Sequence, residues 1–110
     1  TREILKNAPH VTCVMASNDM AAFGCIDELR RHGLTVPDDI SVTGADGLKL
    51  PGSAVRINSF FSPAFDIGRR GAELLFEQIN GKNEIRKVCL PVTPVDGGTI
   101  RNIKSRQGKK

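Results

Sequence analysis

The 110 residues, with 39% apolar and 25% charged side chains, are enough for one hydrophobic core and too few for two domains. No run approaches the roughly 18 continuous apolar residues of a membrane span, and no signal-peptide pattern opens the sequence. The net charge of +4 comes from an acid-free tail that contains Arg101, Lys104, Arg106, Lys109 and Lys110. The rest of the chain has 11 basic and 12 acidic residues. We therefore expect one domain over residues 1–101 and a flexible basic tail at 102–110, with no specific DNA binding by this segment.

The first part of the chain predicts a strand followed by a helix. Val11–Met15 is a short β-rich apolar run, and the polar residues 17–19 after it can cap a helix. From Met20 to His32 the apolar residues recur at helical spacing, and Gly33 provides a C-terminal stop.

A second strand completes a parallel unit. Residues 34–39 form a loop around Pro37, and Ile40–Gly44 has the pattern of a buried strand. A strand, a helix and a strand of this length form a βαβ unit, whose strands run parallel. The loop 46–53 then leaves the carboxyl end of the second strand, where open α/β sheets bind their ligands. The predicted fold class is α/β with a parallel sheet.

The rest of the chain predicts a third strand, a second helix and two short strands. Val55–Phe61 is an apolar run that ends at Ser62 and Pro63, a suitable N-cap and first helical residue. The helix that follows ends near Asn80, and its apolar face comprises Phe65, Gly68, Ala72, Leu75, Phe76 and Ile79. The last predicted elements are strands at Lys87–Leu90 and Pro94–Val95 and a turn at Gly97-Gly98.

Three cysteines indicate a reducing compartment, and the cytoplasm is the expected location. Cys13, Cys25 and Cys89 are odd in number, lie in apolar runs and form no CxxC pair. We therefore expect small buried residues rather than disulfides. Neither His10 nor His32 stands at metal-ligand spacing from them, so neither a metal site nor a cofactor is predicted.

Two polar residues stand where the parallel strands end. Asn18 follows the first strand and Asp46 follows the second, and both loops of a βαβ unit emerge at the same edge of the sheet. A carboxylate and a carboxamide there could converge on one polar ligand, such as a sugar or a nucleoside. The alternative is that Asn18 only caps a helix and Asp46 only forms a turn, and the spacing favours neither interpretation.

The sequence lacks the common signatures of catalysis. It has no GxSxG elbow, no P-loop and no HExxH, and Gly97-Gly98-Thr99 does not make GxGxxG. Asp46 is the only acid expected at the site, with no base or nucleophile beside it, so we expect a binding protein and not an enzyme. An enzyme on a doubly wound sheet is the alternative, because a fold does not fix a function.

Three segments resemble the lactose repressor (LacI/GalR) family of transcriptional regulators, in the order found in that family. Residues 36–47 (VPDDISVTGADG) are similar to its VPxDISVxGxDx segment. Residues 16–24 (ASNDMAAFG) resemble its AxNDxMAxG segment, and residues 68–75 (GRRGAELL) resemble its GRRAxELL helix. The resemblance covers about Pro9 to Thr99.

The resemblance implies a periplasmic-binding-protein-like (type I) domain of two lobes, which clamps a small effector such as a sugar or a purine. This chain would be the C-terminal part of that domain, and its start at Thr1 rather than at methionine fits a piece of a longer protein. Operator DNA would be bound only by an N-terminal helix-turn-helix headpiece outside this chain. The residues implied are Asn18, Asp46 and Ser62 for the effector, and Ala21, Ala22 and Phe23 for contact within a homodimer.

The chain departs from the family pattern in ways that leave the effector undefined. The usual TTVxQ run is residues 58–62 (NSFFS), Val55-Arg56 replaces a common proline pair, and Gly97 replaces a frequent arginine. A periplasmic sugar-binding protein or receptor of the same fold is the alternative, against which the cysteines argue. Because a partial sheet leaves an edge and apolar faces uncovered, we also predict that this segment alone self-associates.

Overall fold

The strands and helices of this protein were located in a computed structural model, which describes residues 1–82 and 84–103. In chain order the elements are α1 (Arg2–Asn7), β1 (Cys13–Met15), α2 (Asp19–Arg31), β2 (Ser41–Thr43), β3 (Ser59–Phe61), α3 (Ala64–Ile79) and β4 (Thr93–Val95). β1 pairs parallel with β2, and β3 pairs antiparallel with β4. A parallel bridge between Thr43 and Asn58 joins the two pairs. The predicted parallel βαβ unit is confirmed.

α2 packs on the parallel strands through one apolar face. Residues three and four apart on a helix share a face, and that face of α2 is apolar. The helix ends before Gly33, whose φ of +74° is a conformation that glycine adopts without a steric cost. The buried core consists of Ala22, Cys25, Ile26, Leu29, Ile40, Val42 and Ile57. This packing fixes the start of α2 beside the carboxyl ends of β1 and β2.

α3 lies outside this core. None of its residues is buried, and its predicted apolar face is exposed, with 83% of Phe65 and 64% of Phe76 accessible. The Cα radius of gyration is 19.2 Å, compared with about 13 Å for a compact domain of similar length. Within the described chain this apolar face is therefore uncovered, as expected for a partial sheet.

Two of the three cysteines are not buried as expected. Cys25 lies in the core, whereas Cys13 and Cys89 are exposed. Alternate side chains of a strand point to opposite faces, and in β1 only Val14 packs against the core, so Cys13 faces away from it. Residues 87–90 around Cys89 do not form the expected strand. An apolar run does not reveal which of its faces another element covers.

Near the C-terminal end, hydrogen bonds from Arg101 attach the chain to the parallel unit. Arg101 is anchored, because its guanidinium donates to Asp38 Oδ1 at 3.0 Å and its backbone N–H donates to Ser41 Oγ at 3.2 Å. Residues 104–110, which form most of the predicted basic tail, lie outside the described residues. Within the described ranges, no helix is long and apolar enough to cross a membrane.

Candidate functional site

The loops that follow β1 and β2 meet at one edge of the sheet. The Ala16 N–H donates to the Thr43 carbonyl at 2.9 Å and extends the parallel ladder beyond the strands. The Asp19 N–H then donates to the Ala45 carbonyl at 2.7 Å, so the loops are in direct contact. The structure therefore brings together the segments that carry the two candidate residues, Asn18 and Asp46.

Asn18 is the N-cap of α2. Its Oδ1 accepts a hydrogen bond from the Ala21 N–H at 2.8 Å, which satisfies one of the donors that a helix start leaves unpaired. The residue is exposed, and its amide nitrogen has no partner among the residues that the structure describes. The capping role is therefore present, and the amide N–H groups remain available to donate to a ligand.

Asp46 has an unusual backbone conformation. Its φ is +118°, which is uncommon for a residue with a side chain and costs on the order of 1–3 kcal/mol. The Asp46 N–H donates to the Phe60 carbonyl at 2.8 Å, which ties this loop to β3. The carboxylate is exposed and accepts no hydrogen bond within residues 1–82 and 84–103. Residues held in such strained backbone conformations cluster at functional sites.

Ser62 stands beyond β3 and does not act as the expected N-cap. Pro63 is the N-cap of α3 and has no side-chain cap, while the Ser62 carbonyl accepts from the Ala64 N–H at 2.8 Å. Ser62 is exposed, and in the described part of the chain no hydrogen bond joins it to Asn18 or Asp46. The structure brings Asn18 and Asp46 to one edge and leaves Ser62 at the following turn.

The three residues expected at a dimer contact do not share one environment. Ala21 is exposed and Phe23 is half-buried against the core. Ala22 is fully buried and belongs to the core face of α2, so its assignment to the contact is wrong. The exposed part of this surface is therefore limited to Ala21 and one side of Phe23.

Asp19 organises this edge, and the sequence indicated only a capping role for it. The side chain is buried, with 1% of the residue accessible. Its Oδ1 accepts from the Ser59 hydroxyl and its Oδ2 accepts from the Leu48 N–H, each at 2.6 Å. The Ser59 Oγ in turn accepts from the Gly47 N–H at 3.1 Å. One carboxylate thus joins three elements: α2, the loop after β2, and β3.

A second polar group fixes the opposite side of β3. The Asn58 Oδ1 accepts from the backbone N–H groups of Thr99 and Ile100 at 2.9 and 3.1 Å, and the Asn58 N–H donates to Thr99 Oγ1 at 2.9 Å. Gly97 packs against the same segment, since a Cβ there would lie 2.5 Å from the Ile57 carbonyl carbon. The glycine that replaces a frequent family arginine is thus required by this close backbone approach.

A carboxyl group with a shifted pKa lies at the other end of α2. The hydrogen bond from Arg2 to Glu28, at 2.5 Å, holds the pKa of the Glu28 carboxyl below its ordinary value. The pair links α1 to α2 and is separate from the edge that carries Asp46. Within the described chain, no group of three or more His, Cys, Asp or Glu side chains could hold a metal ion.

Comparisons with known proteins match nearly the whole chain to a single domain type. The model of the periplasmic binding protein-like domain matches residues 2–100. The HTH-type transcriptional repressor PurR of Pasteurella multocida is 36% identical over 85 residues, which are 70% of this chain and 23% of that repressor. The ribose operon repressor of Bacillus subtilis is 31% identical over 103 residues, which are 91% of this chain and 31% of the repressor.

A solved structure shows the same similarity in three dimensions. The LacI family transcriptional regulator from Enterococcus faecium, with bound ribose, is 29% identical and superposes with a TM-score of 0.73. The match covers 90% of this chain and 37% of that regulator. The chain therefore spans only 23% to 37% of the length of these three relatives.

Proposed function

This chain belongs to the periplasmic binding protein-like domain family, and we propose that it forms part of the effector-binding domain of a LacI-family transcriptional regulator. The relatives in Pasteurella multocida and Bacillus subtilis are named transcriptional repressors, and the Enterococcus faecium regulator holds ribose. The proposed effector is a small polar metabolite of the sugar or purine type. The proposed role is binding rather than catalysis, in the cytoplasm.

One observation carries this proposal: Asp46, with its strained backbone, presents an exposed carboxylate at the carboxyl edge of a parallel sheet. A carboxylate accepts hydrogen bonds from ligand hydroxyl or N–H groups. The Asn18 amide offers donors from the adjoining loop, and a sugar hydroxyl can donate to one group and accept from the other. Asn18 and Ser62 are proposed as further effector contacts.

In the proposed mechanism the effector acts by shifting a population. A ligand that binds between two lobes favours one of two arrangements of the protein, and its differential affinity sets the size of the shift. The Asp46 edge forms one wall of the cleft. The surface around Ala21 and Phe23 is proposed to contact a second subunit. Operator DNA is assigned to a headpiece outside this chain.

Thermal melting of the full-length protein tests the proposal. A ligand that binds only the folded state raises the melting temperature by mass action. With a panel of pentoses, hexoses and purine bases, we expect at least one compound to raise the Tm, and the Asp46→Ala variant to lose that shift. A panel without any shift, or a shift that Asp46→Ala retains in full, would overturn the proposal.

A further inference from the structure

We propose that Asp19 is a positioning residue for effector binding, an inference that rests on the proposed function of the Asp46 edge. The Asp19 carboxylate and the Ser59 hydroxyl hold residues 45–48 in the conformation that presents the Asp46 side chain. We call this pair the Asp19–Ser59 clamp. Neither member needs to touch the effector.

The clamp fixes the two peptide groups that follow Asp46. The Gly47 N–H donates to Ser59 Oγ, and the Leu48 N–H donates to the Asp19 carboxylate. Because the Ser59 hydroxyl donates to Asp19 Oδ1, its oxygen lone pairs are turned towards the Gly47 N–H. Both donors therefore depend on one buried carboxylate.

The peptide groups before Asp46 are fixed as well. The Ala45 carbonyl accepts from the Asp19 N–H at 2.7 Å, and the Asp46 N–H donates to the Phe60 carbonyl at 2.8 Å. A strained backbone conformation persists only where its surroundings determine it on all sides. We infer that the φ of +118° at Asp46 depends on the clamp, and that a weakened clamp lets this residue relax to an ordinary conformation.

The surroundings of Asp19 are built to receive a carboxylate. A buried charge is tolerated only where it is hydrogen-bonded, and both oxygens of Asp19 accept hydrogen bonds, at 2.6 Å each. Gly44 leaves the space that the side chain occupies, since a Cβ on Gly44 would overlap the carboxylate. A residue without a side-chain acceptor at position 19, such as alanine, would leave the Leu48 and Ser59 donors without their partner.

The test compares two variants of neighbouring residues in the full-length protein. Ser59→Ala removes the hydroxyl of the clamp and leaves Asp19 in place. Asn58→Ala is the matched control, because its side chain bonds to Thr99 and Ile100 on the opposite side of β3. The measurements are the Kd for D-ribose and for adenine, and the rate of hydrogen exchange in the peptide spanning residues 45–50.

We expect Ser59→Ala to weaken the binding of whichever probe binds by about tenfold or more and to speed the exchange of this peptide. Asn58→Ala should lower the Tm and leave both readouts unchanged. The positioning role is overturned if Ser59→Ala binds as tightly as the wild type, whether or not exchange is faster, or if Asn58→Ala weakens binding equally.

The failure of the proposed function can be told apart from the failure of the clamp. If the wild-type protein binds neither D-ribose nor adenine, the proposed function fails for these probes. The hydrogen-exchange comparison still tests whether the Asp19–Ser59 clamp holds residues 45–48. Unchanged exchange in Ser59→Ala overturns this role, and faster exchange supports it.

Discussion

Gly44 lies directly against Asp19: a Cβ built on Gly44 would stand 3.0 Å from the Asp19 Cα and overlap the carboxylate. Because one of the atoms in the way is the backbone Cα of Asp19, a change of side-chain rotamer cannot relieve the contact. The Gly44 N–H also donates to the Asn58 carbonyl at 3.0 Å, so the glycine cannot shift without loss of that bond. This close approach is where β2, α2 and β3 are held together.

Gly44→Ala is therefore expected to destabilise the protein by about 1–3 kcal/mol, the usual range for overpacking. Gly24→Ala is the matched control, because Gly24 lies within α2 with nothing within 4 Å of its Cβ position. The free energy of unfolding of that variant should rise by about 0.5–1 kcal/mol, because alanine is more stable than glycine within a helix. Urea denaturation measures both changes, and equal effects of the two variants would contradict the packing described.

Asp46→Gly is expected to stabilise the unliganded protein, by up to about 1 kcal/mol, because glycine adopts a positive φ without strain. Asp46→Ala keeps the strain, loses the short polar side chain and should be less stable than Asp46→Gly. Both variants lose the carboxylate and should fail to bind the effector. Urea denaturation of the three proteins gives the order of stability. If Asp46→Gly is the least stable, the residue is not strained.

Acid should weaken the contact between α1 and α2. The pKa of Glu28 is lowered in the folded state by its ion pair with Arg2. The pair therefore stabilises the fold at pH values above the ordinary carboxyl pKa. This contribution to stability is lost as the pH falls through the lowered pKa. The Tm difference between wild type and Arg2→Ala should be largest near about pH 7 and should shrink towards about pH 3.

The control for this titration is Arg30→Ala. The pair between Arg30 and Asp27 is exposed, with the nearest nitrogen and oxygen 3.8 Å apart, and such pairs contribute little. The Tm of this variant should follow that of the wild type at every pH. A pH-independent gap between Arg2→Ala and the wild type would show that the Arg2–Glu28 pair does not cause the effect.

The exposed apolar face of α3 should drive self-association of the 110-residue chain. Phe65 and Phe76 are 83% and 64% accessible, and large exposed apolar patches mark contact surfaces or aggregation sites. Phe76→Glu should shift sedimentation towards the monomer. Gln78→Glu adds the same charge to an exposed position on the opposite side of the helix and should not do so. A monomeric wild-type chain would contradict this prediction.

The sequence was most informative where periodicity and resemblance coincide. α2 and its core face followed from helical spacing, and the parallel strands followed from two apolar runs at a βαβ distance. The similarity to LacI-family regulators, predicted from three short segments, is confirmed by the matched family model and relatives. Asn18 and Asp46 could be placed at one edge because parallel strands end on the same side.

The sequence was least informative about what covers each surface. The exposure of Cys13, Cys89 and the apolar face of α3 depends on which elements pack against them, and periodicity alone does not specify a neighbour. Ala22 lies on the core face that helical spacing predicts for α2, so its burial agrees with that spacing and not with the contact role that the resemblance implied. Asp19 was missed because its partners, Leu48 and Ser59, are 29 and 40 residues away in the chain.

The central claim, that Asp46 binds a polar effector, is tested most directly by calorimetric titration of the full-length protein with the compound that raises its Tm most. The wild type should bind the compound. Asp46→Asn should bind it more weakly, because a neutral acceptor replaces the charged one. Asp46→Gly should not bind it, although this variant is expected to be at least as stable as the wild type. Equal affinities of the three folded proteins would contradict the claim.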